Sequence, residues 1–464
     1  RNSEAIGFRH TSNFEPTQFI LRKSFFEKKS DRLANWANAN NVVLDLETDL
    51  YKVKKFSNQF ENNEDLTNRV WNLLASNDLQ PVASERNRSE RFISFLFEKG
   101  DAQRAACLLN DYLQGDHIVV DLFIAGTGAV GQTLLEKLKK NEPDNMHFRL
   151  LGACNSRKAL WNDRGLDLRT ELNWSEAQPT DWNFLTGQLN KPHRHNLIFV
   201  DATGSEQVAR LYPELLKNGT HIVTPSKLAN TFEQAFFDEL HSLVNKNKTS
   251  FRYETTVGAG LPVISTLEDI TSGGDKITEI SGVVSGTMTY LFNQLEKGVP
   301  FSEAVIDARR KGYAEPDPRD DLSGEDVARK FLTMARTLGL KIERNELNVE
   351  SLIPEELKNV DQATFLNRLS DYDKQWMHRI KEVQKNDKTL RYTGKLVDGV
   401  ISIGIESVPK DSPLGQLKGT DNLVQIFSDF YNQTPLVIQG AGAGRQVTAA
   451  GVLTDILKTA HTFS

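Results

Sequence analysis

The middle of the chain alternates between two hydrophobic periods. Short runs of β-branched and apolar residues, typical of buried strands, are separated by stretches whose apolar residues recur at helical spacing. Helical patterns at 205–219 and 231–247 lie between such runs. This alternation predicts βαβ units and a parallel sheet. The predicted strands are "HIVVDLFIA" (117–125), "FRLLGACN" (148–155), "NLIFVDAT" (196–203), "THIVTPS" (220–226) and "FRYETTV" (251–257).

The pattern changes on both sides of this region. Beyond residue 260 the regular alternation is lost, which predicts a second, mixed α+β domain with strands at 276–286, 391–397, 400–408 and 435–444. Towards the N-terminus, a strand at 91–98 followed directly by an amphipathic helix at 101–113 predicts a small α+β unit. The same part of the chain contains a strand-like segment at 41–46 and a helix-like segment at 65–76.

Composition narrows the class of protein. With 464 residues, a net charge of −6 and 25% charged residues, the chain resembles an ordinary globular protein of two or three domains. The weakly acidic balance and the lack of an arginine-rich arm or zinc-finger spacing predict no nucleic-acid partner. Cys107 and Cys154 form no CxxC motif, and no apolar run reaches bilayer length. We therefore expect a cytoplasmic protein with no membrane partner.

A glycine-rich turn follows the first of the central strands. Gly126, Gly128 and Gly131 form G-x-G-x-x-G between a strand and a helix. In a dinucleotide site the first glycine permits a tight turn, the second lets the backbone approach a pyrophosphate, and the helix N-terminus binds the anion. The alternative is an ordinary tight turn, but four further strand and helix alternations favour dinucleotide binding.

The residues at the end of the second strand bear on whether the cofactor is NADP or NAD. It has no acid to bind the ribose hydroxyls, and Arg157 and Lys158 stand there instead. Cations at this place favour the 2′-phosphate of NADP, with NAD still possible. The alternative is that both residues are solvated charges of a surface loop. Thr203, at the end of a later strand, either contacts the nicotinamide end or forms a strand-end turn.

The acidic stretch 312–330 suggests chemistry at the start of a helix. Ser323 and Asp326 fit a capping box for a helix over 324–338, ended by Gly339. Asp326 and Lys330, however, lie at the margin of that helix's apolar stripe. Acids can hold an ammonium group while a lysine donates a proton to a developing alkoxide, so we favour a pocket for a small zwitterion. The acids of the preceding loop are Glu315, Asp317, Asp320 and Asp321.

Two further segments have a functional and a structural interpretation. Lys227 follows the 220–226 strand and is either a site residue or an exposed lysine. The glycine-rich run after Glu254 either directs several carbonyl groups at a monovalent cation or crosses between domains.

Six segments, in order, resemble homoserine dehydrogenase from about residue 117 onward. They are "FIAGTGAVGQTLLEKL", "TPSKLAN", "YETTVGAGLPVISTL", "SGVVSGTMTYLFNQL", "GYAEPDPRDDLSGEDVARKFLTMAR" and "GAGAGRQVTAAGVLTDIL". The resemblance implies NAD(P)-dependent interconversion of aspartate 4-semialdehyde and L-homoserine, in threonine and methionine biosynthesis. It also implies a small-molecule substrate and a homodimer or higher homo-oligomer.

The resemblance assigns roles by position. Lys330 would donate a proton to the substrate, Asp326 would orient it, and Lys227 would contact cofactor and substrate. Glu315 and Asp321 would hold the substrate, and Gly286 and Thr287 would line its pocket. Cofactor contacts would come from Gly126, Thr127, Gly128, Ala129, Val130, Gly131, Thr203 and Gly444, with Arg157 added from the strand-end pattern. The family's sodium site would map onto Glu254, Val257, Ala259 and Leu261.

The expected fold is α/β, with a Rossmann-type domain, an α+β substrate and dimerisation domain, and a small N-terminal α+β segment. The segment 91–113 resembles the end of an ACT-type regulatory unit in fused aspartokinase and homoserine dehydrogenase enzymes, and the start at Arg1 fits a C-terminal piece of such a fusion. Threonine feedback is a hypothesis.

The alternatives to a homoserine dehydrogenase are another dehydrogenase of amino-acid metabolism or a non-catalytic nucleotide-binding regulator. The expected domains are 1–116 (ACT-like), 117–257 (nucleotide-binding), 258–434 (catalytic) and 435–464 (a segment returning to the nucleotide domain).

Overall fold

The structure is a computed structural model that describes most of the chain beyond residue 117. Two compact units are formed: the first contains residues 1–119, 144–147 and 190–195, and the second contains the remainder. The described residues are 5–9, 18–21, 50–56, 70–71, 73–75, 77, 79–87, 92–98, 101–102, 104–106, 108–109, 118–143, 145–168, 170–191 and 196–463.

The described residues of the first unit form two small antiparallel sheets. One pairs β1 (Ala5–Arg9) with β2 (Gln18–Leu21). In the other, β5 (Phe92–Glu98) lies between β3 (Leu50–Phe56) and β4 (Ala83–Asn87). Strand β5 confirms the strand predicted at 91–98, and described residues between 101 and 109 are helical, as predicted. The predicted strand at 41–46 lies outside the described residues, and the ACT-like assignment stays a prediction.

A seven-stranded sheet follows, in the order β12-β11-β10-β6-β7-β8-β9. Its middle confirms the predicted parallel arrangement, because β10 is parallel to β6 and β11, and β11 is parallel to β12. Two strands that the sequence did not predict extend the sheet: β8 is antiparallel to β7, and β9 is antiparallel to β8. The strands are β6 (Ile118–Ala125), β7 (Met146–Cys154), β8 (Lys158–Leu166), β9 (Gln178–Pro179), β10 (Leu197–Asp201), β11 (His221–Val223) and β12 (Phe251–Arg252).

The helices around this sheet differ from the predicted ones in one place. The single helix expected at 205–219 is two short helices, because Pro213 lies in the first turn of the second one and would break a continuous helix. Ser205 begins the first of them by accepting a hydrogen bond from the backbone N–H of Val208. The helices are α1 (Ala129–Lys140), α2 (Trp182–Leu189), α3 (Glu206–Ala209), α4 (Tyr212–Lys217), α5 (Leu228–Thr231) and α6 (Gln234–Asn247).

The predicted strand at 251–257 is wrong in its second half. Strand β12 ends at Arg252, and a 3₁₀ turn over Glu254–Thr256 follows. The carboxylate of Glu254 then accepts hydrogen bonds from the backbone N–H groups of Ile264 and Ser265, at 2.7 and 3.0 Å. These are N–H groups in the first turn of the next helix, so a buried capping contact replaces strand pairing here.

The second sheet has six strands in the order β14-β16-β15-β13-β17-β18. Strands β15 and β16 form a hairpin whose two-residue turn, Asp398 and Gly399, has positive φ at both positions. Strand β14 is parallel to β16 and the other pairs are antiparallel, so the predicted mixed domain is confirmed. The sequence did not predict β17. The strands are β13 (Ile277–Val283), β14 (Asn348–Val349), β15 (Lys388–Val397), β16 (Val400–Pro409), β17 (Asp421–Ser428) and β18 (Leu436–Ala441).

Eight helices in the described part accompany this sheet. Helix α11 buries Val327, Phe331 and Met334, as its predicted apolar stripe requires. The last helix, α14, packs against α1, beside the glycine turn. Within the described residues, no helix is both long and apolar enough to cross a bilayer. The helices are α7 (Val263–Ser272), α8 (Gly286–Glu296), α9 (Phe301–Arg310), α10 (Arg319–Leu322), α11 (Glu325–Thr337), α12 (Gln362–Arg368), α13 (Asp373–Gln384) and α14 (Arg445–Ala460).

Candidate active site

The glycine turn has the geometry of an anion cradle. Gly126 has φ +94°, and a Cβ there would lie 2.6 Å from the carbonyl oxygen of Ala202. A Cβ at Gly131 would lie 1.9 Å from the carbonyl oxygen of Gly126, so only glycine permits this packing of helix on turn. Gly128 instead faces open space, since a Cβ there meets nothing within 4 Å.

The helix after the turn leaves its first backbone N–H groups available. Helix α1 has no acidic residue in its first turn, and no side chain caps it at Gly128. The open space at Gly128 therefore meets unpaired donors and the positive end of the helix dipole. A pyrophosphate fits this arrangement. Thr127, Ala129 and Val130 line the same turn.

A buried aspartate at the end of strand β10 holds the turn that follows the strand. It was not among the predicted site residues. The carboxylate of Asp201 accepts bonds from the backbone N–H and hydroxyl of Thr203, at 2.7 and 2.6 Å, and from the Tyr212 hydroxyl at 2.6 Å. Burial raises the pKa of Asp201, and these bonds oppose the shift. An aspartate two residues before a threonine at a strand end is a known turn signal, so it was visible in "DAT".

Thr203 consequently lies beside the glycine turn with its hydroxyl already engaged. Its methyl group would be 3.0 Å from a Cβ placed at Gly126. Its hydroxyl donates to Asp201 and accepts a bond from the Ser205 backbone N–H at 3.2 Å. The strand-end turn is thus present, and contact with a cofactor stays a prediction.

The tip of the second strand is an exposed turn. The side-chain oxygen of Asn155 accepts bonds from the backbone N–H groups of Arg157 and Lys158, at 2.8 and 2.9 Å. The side chain of Arg157 is exposed, as is that of Lys158. This geometry holds the cations at the strand end, where the sequence analysis placed them.

Lys330 on helix α11 has a charged side chain and is nevertheless buried. The residue is 8% exposed, so it does not face bulk solvent. Its ammonium nitrogen lies 2.8 Å from a carboxylate oxygen of Asp326 and donates to the carbonyl oxygen of Val284 at 2.5 Å. An ammonium has three N–H donors, so one is left for a ligand. Burial lowers the pKa of Lys330, and Lys227 lowers it further, against the opposing charge of Asp326.

Asp326 joins the two predicted lysines. Its second carboxylate oxygen lies 3.2 Å from the ammonium nitrogen of Lys227, the residue that precedes α5. Burial favours the neutral acid, but the two ammonium groups outweigh it and hold the pKa of Asp326 well below its usual range. Segments that are far apart in sequence therefore place Lys227, Asp326 and Lys330 in one hydrogen-bonded cluster, which we call the lysine cluster.

The predicted capping box is wrong. Gly324 precedes the first residue of α11, with φ +79°, and no side chain caps that helix. Ser323 instead donates to the carbonyl oxygen of Asp320 at 2.9 Å. A Cβ at position 324 would collide with the hydroxyl oxygen of Tyr392, at 2.0 Å. Packing of the helix start against β15 thus decides the cap and leaves Asp326 free for the lysines.

The acids of the preceding loop divide into two groups. Asp321 accepts bonds from the Thr287 hydroxyl at 2.9 Å and from the backbone N–H of Glu315 at 2.8 Å. Burial raises the pKa of Asp321, those bonds oppose the shift, and the charges of Glu315 and Asp326 add to it. Asp317 is instead paired with Arg319 at 2.6 Å.

Two predicted pocket residues begin helix α8. Thr287 bonds to Asp321 and also lies 2.6 Å from the carbonyl oxygen of Tyr313. A Cβ at Gly286 would lie 2.9 Å from the carbonyl oxygen of Thr420, so a larger residue does not fit there. The side chain of Glu315 is exposed at the edge of this group.

The loop after Glu254 holds the predicted cation ligands. Ala259 has φ +54°, an unfavourable conformation for a residue with a Cβ. The carbonyl oxygen of Leu261 accepts a bond from the backbone N–H of Val263 at 2.9 Å, and Val257 is fully buried. Within the described residues, no group of three or more His, Cys, Asp or Glu side chains could hold a metal ion. A site here would therefore depend on backbone carbonyls and one carboxylate.

The C-terminal helix closes against this loop. Gly444, with φ +125°, precedes α14, and a Cβ at Gly451 would lie 2.3 Å from the Thr255 side chain. Asp455 on the same helix accepts a bond from the backbone N–H of Glu254 at 3.1 Å. Burial, followed by the charge of Glu254, raises the pKa of Asp455 to about 7. No sequence motif marks Asp455, so it was not among the predicted site residues.

Family models match both halves of this site. A model described as "Homoserine dehydrogenase, NAD binding domain" matches residues 126–254, and one described as "Homoserine dehydrogenase" matches residues 262–457. Together these matches include the glycine turn and the lysine cluster, whereas residues 255–261 lie between the two matched ranges.

Curated relatives extend the match. The chain is 37% identical over 398 residues to the bifunctional aspartokinase/homoserine dehydrogenase of Haemophilus influenzae, covering 84% of this chain and 49% of that protein. It is also 37% identical over 401 residues to the chloroplastic bifunctional aspartokinase/homoserine dehydrogenase 1 of Zea mays, covering 84% of this chain and 44% of that protein. The chain thus spans about half the length of these relatives.

Solved structures share the fold. A Candida auris protein of unknown function is 34% identical, with a TM-score of 0.71, over 74% of this chain and 99% of that chain. A hyperthermophilic archaeal homoserine dehydrogenase in complex with NADPH is 23% identical, with a TM-score of 0.58, over 75% of this chain and 99% of that chain. At that identity, the archaeal structure supports the fold alone.

Proposed function

From the premise that this chain belongs to the homoserine dehydrogenase family, we propose that it interconverts L-aspartate 4-semialdehyde and L-homoserine with NAD(P) as cofactor. The observation that carries the proposal is the lysine cluster. A buried ammonium with one unused N–H donor suits the oxygen of a small aldehyde. The half-buried Asp321, with the exposed Glu315 beside it, suits the ammonium of an amino acid.

Lys330 is the proposed proton donor. As the aldehyde is reduced, negative charge develops on its oxygen, and the spare N–H of Lys330 stabilises that charge and transfers a proton to it. Bound nicotinamide cofactor supplies or accepts the hydride. In the opposite direction the neutral amine of Lys330 accepts the hydroxyl proton, and its lowered pKa makes this neutral form more accessible.

Asp326 acts in this proposal as the positioning residue. It bonds to both lysines, so it fixes the Lys330 ammonium and partly offsets the repulsion between the two cations. Asp321 and Glu315 would hold the substrate ammonium, with Gly286 and Thr287 lining the pocket. Lys227 would contact both substrate and cofactor.

For the cofactor we propose NADP, with NAD also accepted. The pyrophosphate would lie against the turn from Gly126 to Gly131, and Arg157 would bind the 2′-phosphate. Thr203 and Gly444 would contact other parts of the same cofactor. The open space at Gly128 and the uncapped start of α1 support the first placement, and the exposed Arg157 supports the second. The archaeal relative was solved with NADPH.

We also propose a sodium ion at the loop after Glu254, with ligands from Glu254, Val257, Ala259 and Leu261. The turned backbone at Ala259 and the buried carboxylate support it, since hard cations take oxygen ligands. Replacing sodium by choline should lower the thermal midpoint of the protein. An unchanged midpoint would count against the site.

The wider assembly is proposed from the relatives and the sequence. We infer a homodimer or higher homo-oligomer, built through the 258–434 domain, and an aspartokinase preceding this chain, as in the relatives. A cytoplasmic location, the ACT-like nature of residues 1–116 and threonine feedback remain predictions. Threonine titrated into the rate assay should lower the rate if feedback operates.

The deciding experiment is an initial-rate assay at the nicotinamide absorbance band. Homoserine with NADP⁺ should give reduced cofactor, and the semialdehyde with NADPH should consume it. Other amino-acid alcohols and aldehydes serve as the control panel. Turnover of another panel member in place of homoserine would favour a different dehydrogenase, and cofactor binding without any turnover would favour a non-catalytic regulator.

A further inference from the structure

We propose that the second domain has an additional binding site for a small anion with two or more negative charges. The site is a cavity of about 540 Å³ between the C-terminal half of helix α8 and the loop 415–419, which we call the α8 cavity. None of its lining residues belongs to the lysine cluster or the glycine turn.

The charges around the α8 cavity favour an anion. Three lysines line it, Lys297, Lys410 and Lys418, together with Arg391 and one acid, Glu296. Glu296 is already paired with Arg391, at 3.2 Å. Lys410 lies 4.0 Å from the exposed Asp387. Within the described residues, Lys297 and Lys418 have no acidic partner, so the cavity carries an excess of positive charge.

A buried amide gives a second, independent indication of a ligand. Asn293 lines the α8 cavity and is only 9% exposed, and its Nδ2 group has no hydrogen-bond partner within the described residues. Buried N–H donors are nearly always paired, because leaving one without an acceptor costs free energy. An anion in the cavity would supply that acceptor once the Asn293 side chain turns its amide toward it, and both the amide and the lysines are donors.

The wall of the cavity is held rigidly. The guanidinium of Arg391 is buried and donates to the carbonyl oxygens of Leu414 and Gly415, at 3.0 and 2.6 Å. These bonds attach the start of the 415–419 loop to strand β15. A preformed wall lowers the ordering cost of binding a small ligand.

The α8 cavity is connected to the substrate pocket through one helix. Tyr290 of α8 lines the cavity, and its ring lies 5.0 Å from the ring of Tyr313. The carbonyl oxygen of Tyr313 is bonded by Thr287, which also bonds Asp321. An anion that shifts α8 should therefore change the KM for the semialdehyde more than kcat. This kinetic consequence depends on the proposed function, whereas the binding site does not.

Binding is tested by calorimetry on the whole chain at low salt, with inorganic phosphate and succinate titrated separately to distinguish phosphoryl from carboxylate ligands. NADPH is present in both titrations, so that the glycine turn is filled. We expect saturable binding of at least one probe, with a dissociation constant of about 1 mM. Lys297→Met/Lys418→Met should weaken it about tenfold, while the matched surface variant Lys341→Met/Lys374→Met should not.

A second variant keeps the test independent of the lysines. Asn293→Asp preserves shape and places a negative charge at the cavity wall, so it should abolish binding, whereas Asn367→Asp on the exposed face of α12 should leave it unchanged. Neither probe binding, or equal binding by the wild-type protein and the lysine pair variant, would overturn the proposal. Because heat is measured, a lack of dehydrogenase activity would not affect this result.

Discussion

The glycine turn and the lysine cluster build their sites in opposite ways. The turn consists of consecutive residues, and its shape is set by backbone contacts: Gly131 fits over the carbonyl oxygen of Gly126, and Gly126 fits beside Ala202. The lysine cluster is made of charged side chains from separate segments, with Asp326 between Lys227 and Lys330. One region offers neutral backbone donors, and the other offers buried charge.

This difference predicts how the two regions divide the work. Backbone donors at a helix N-terminus bind an anion in the same way throughout a reaction, so changes at the turn should affect cofactor affinity. A buried ammonium interacts most strongly with charge that appears only in the transition state, so changes at the lysine cluster should affect rate. Four substitutions test the division.

The largest effect is expected for Lys330→Met. Loss of the proton donor should lower kcat about a thousandfold, which is typical for general acid catalysis. Asp326 keeps Lys227 as its partner, so the variant should fold, and its cofactor dissociation constant should stay within about threefold of the wild-type value. Lys341→Met, at an exposed lysine, is the control. Near-normal kcat in Lys330→Met would remove Lys330 from the mechanism.

Asp326→Asn should lower kcat by roughly tenfold to a hundredfold, because Lys330 loses the group that positions it. The carboxylate of Asp326 favours protonated Lys330, so its removal lowers the Lys330 pKa further. Reduction needs the protonated amine and is lost as pH rises through that pKa. The alkaline limb of the pH–rate profile should therefore move to lower pH.

The control for this shift is Glu325→Gln. Glu325 lies next to Asp326 on α11 but is paired with Arg344. The Glu325→Gln profile should keep the wild-type alkaline limb. An Asp326→Asn limb that stays in place, or moves to higher pH, would show that Asp326 does not act through Lys330.

Gly128→Ala should weaken cofactor binding about tenfold, because the added methyl group would occupy the space left for the pyrophosphate. Nothing in the protein lies within 4 Å of that methyl group, so thermal stability should not fall. At saturating cofactor, kcat should be close to the wild-type value. Gly187→Ala, in helix α2 and equally unobstructed, is the matched control. Cofactor affinity unchanged in Gly128→Ala would place the pyrophosphate elsewhere.

The smallest effect is expected for Arg157→Ala. Removing a cation from the strand end should reduce the preference for NADPH over NADH about fivefold, through weaker NADPH binding alone. Dissociation constants for both cofactors measure this directly. A parallel loss of NADH affinity would mean that Arg157 supports the turn rather than the 2′-phosphate.

The sequence predicted the local shape of the glycine turn better than that of the lysine cluster. At the turn, glycine spacing between a strand and a helix specified the local shape, because each contact is between near neighbours. At the lysine cluster, the local rule for Ser323 and Asp326 gave a capping box that the structure lacks, since Tyr392 of a distant strand packs against Gly324. The resemblance to a family, not periodicity, brought Lys227 and Lys330 together.

Other features carried no sequence signal. The carbonyl oxygen of Val284, which accepts a bond from Lys330, is a backbone atom that no residue type marks. Asp455 approaches Glu254 because the C-terminal helix α14 packs against the 3₁₀ turn that begins at Glu254. Strand β8 has polar or half-exposed residues at most positions, so its pairing with β7 determines it, whereas β17 contains a mostly apolar run at 423–427 that the prediction overlooked.

The most direct test measures NADPH affinity and single-turnover reduction of the semialdehyde side by side in Lys330→Met and Gly128→Ala. We expect Lys330→Met to bind NADPH normally and reduce the semialdehyde about a thousandfold more slowly, and Gly128→Ala to bind NADPH weakly but react at close to the normal rate once saturated. Reaction at the wild-type rate by Lys330→Met, or equal losses of affinity and rate in both variants, would contradict the division between the two regions.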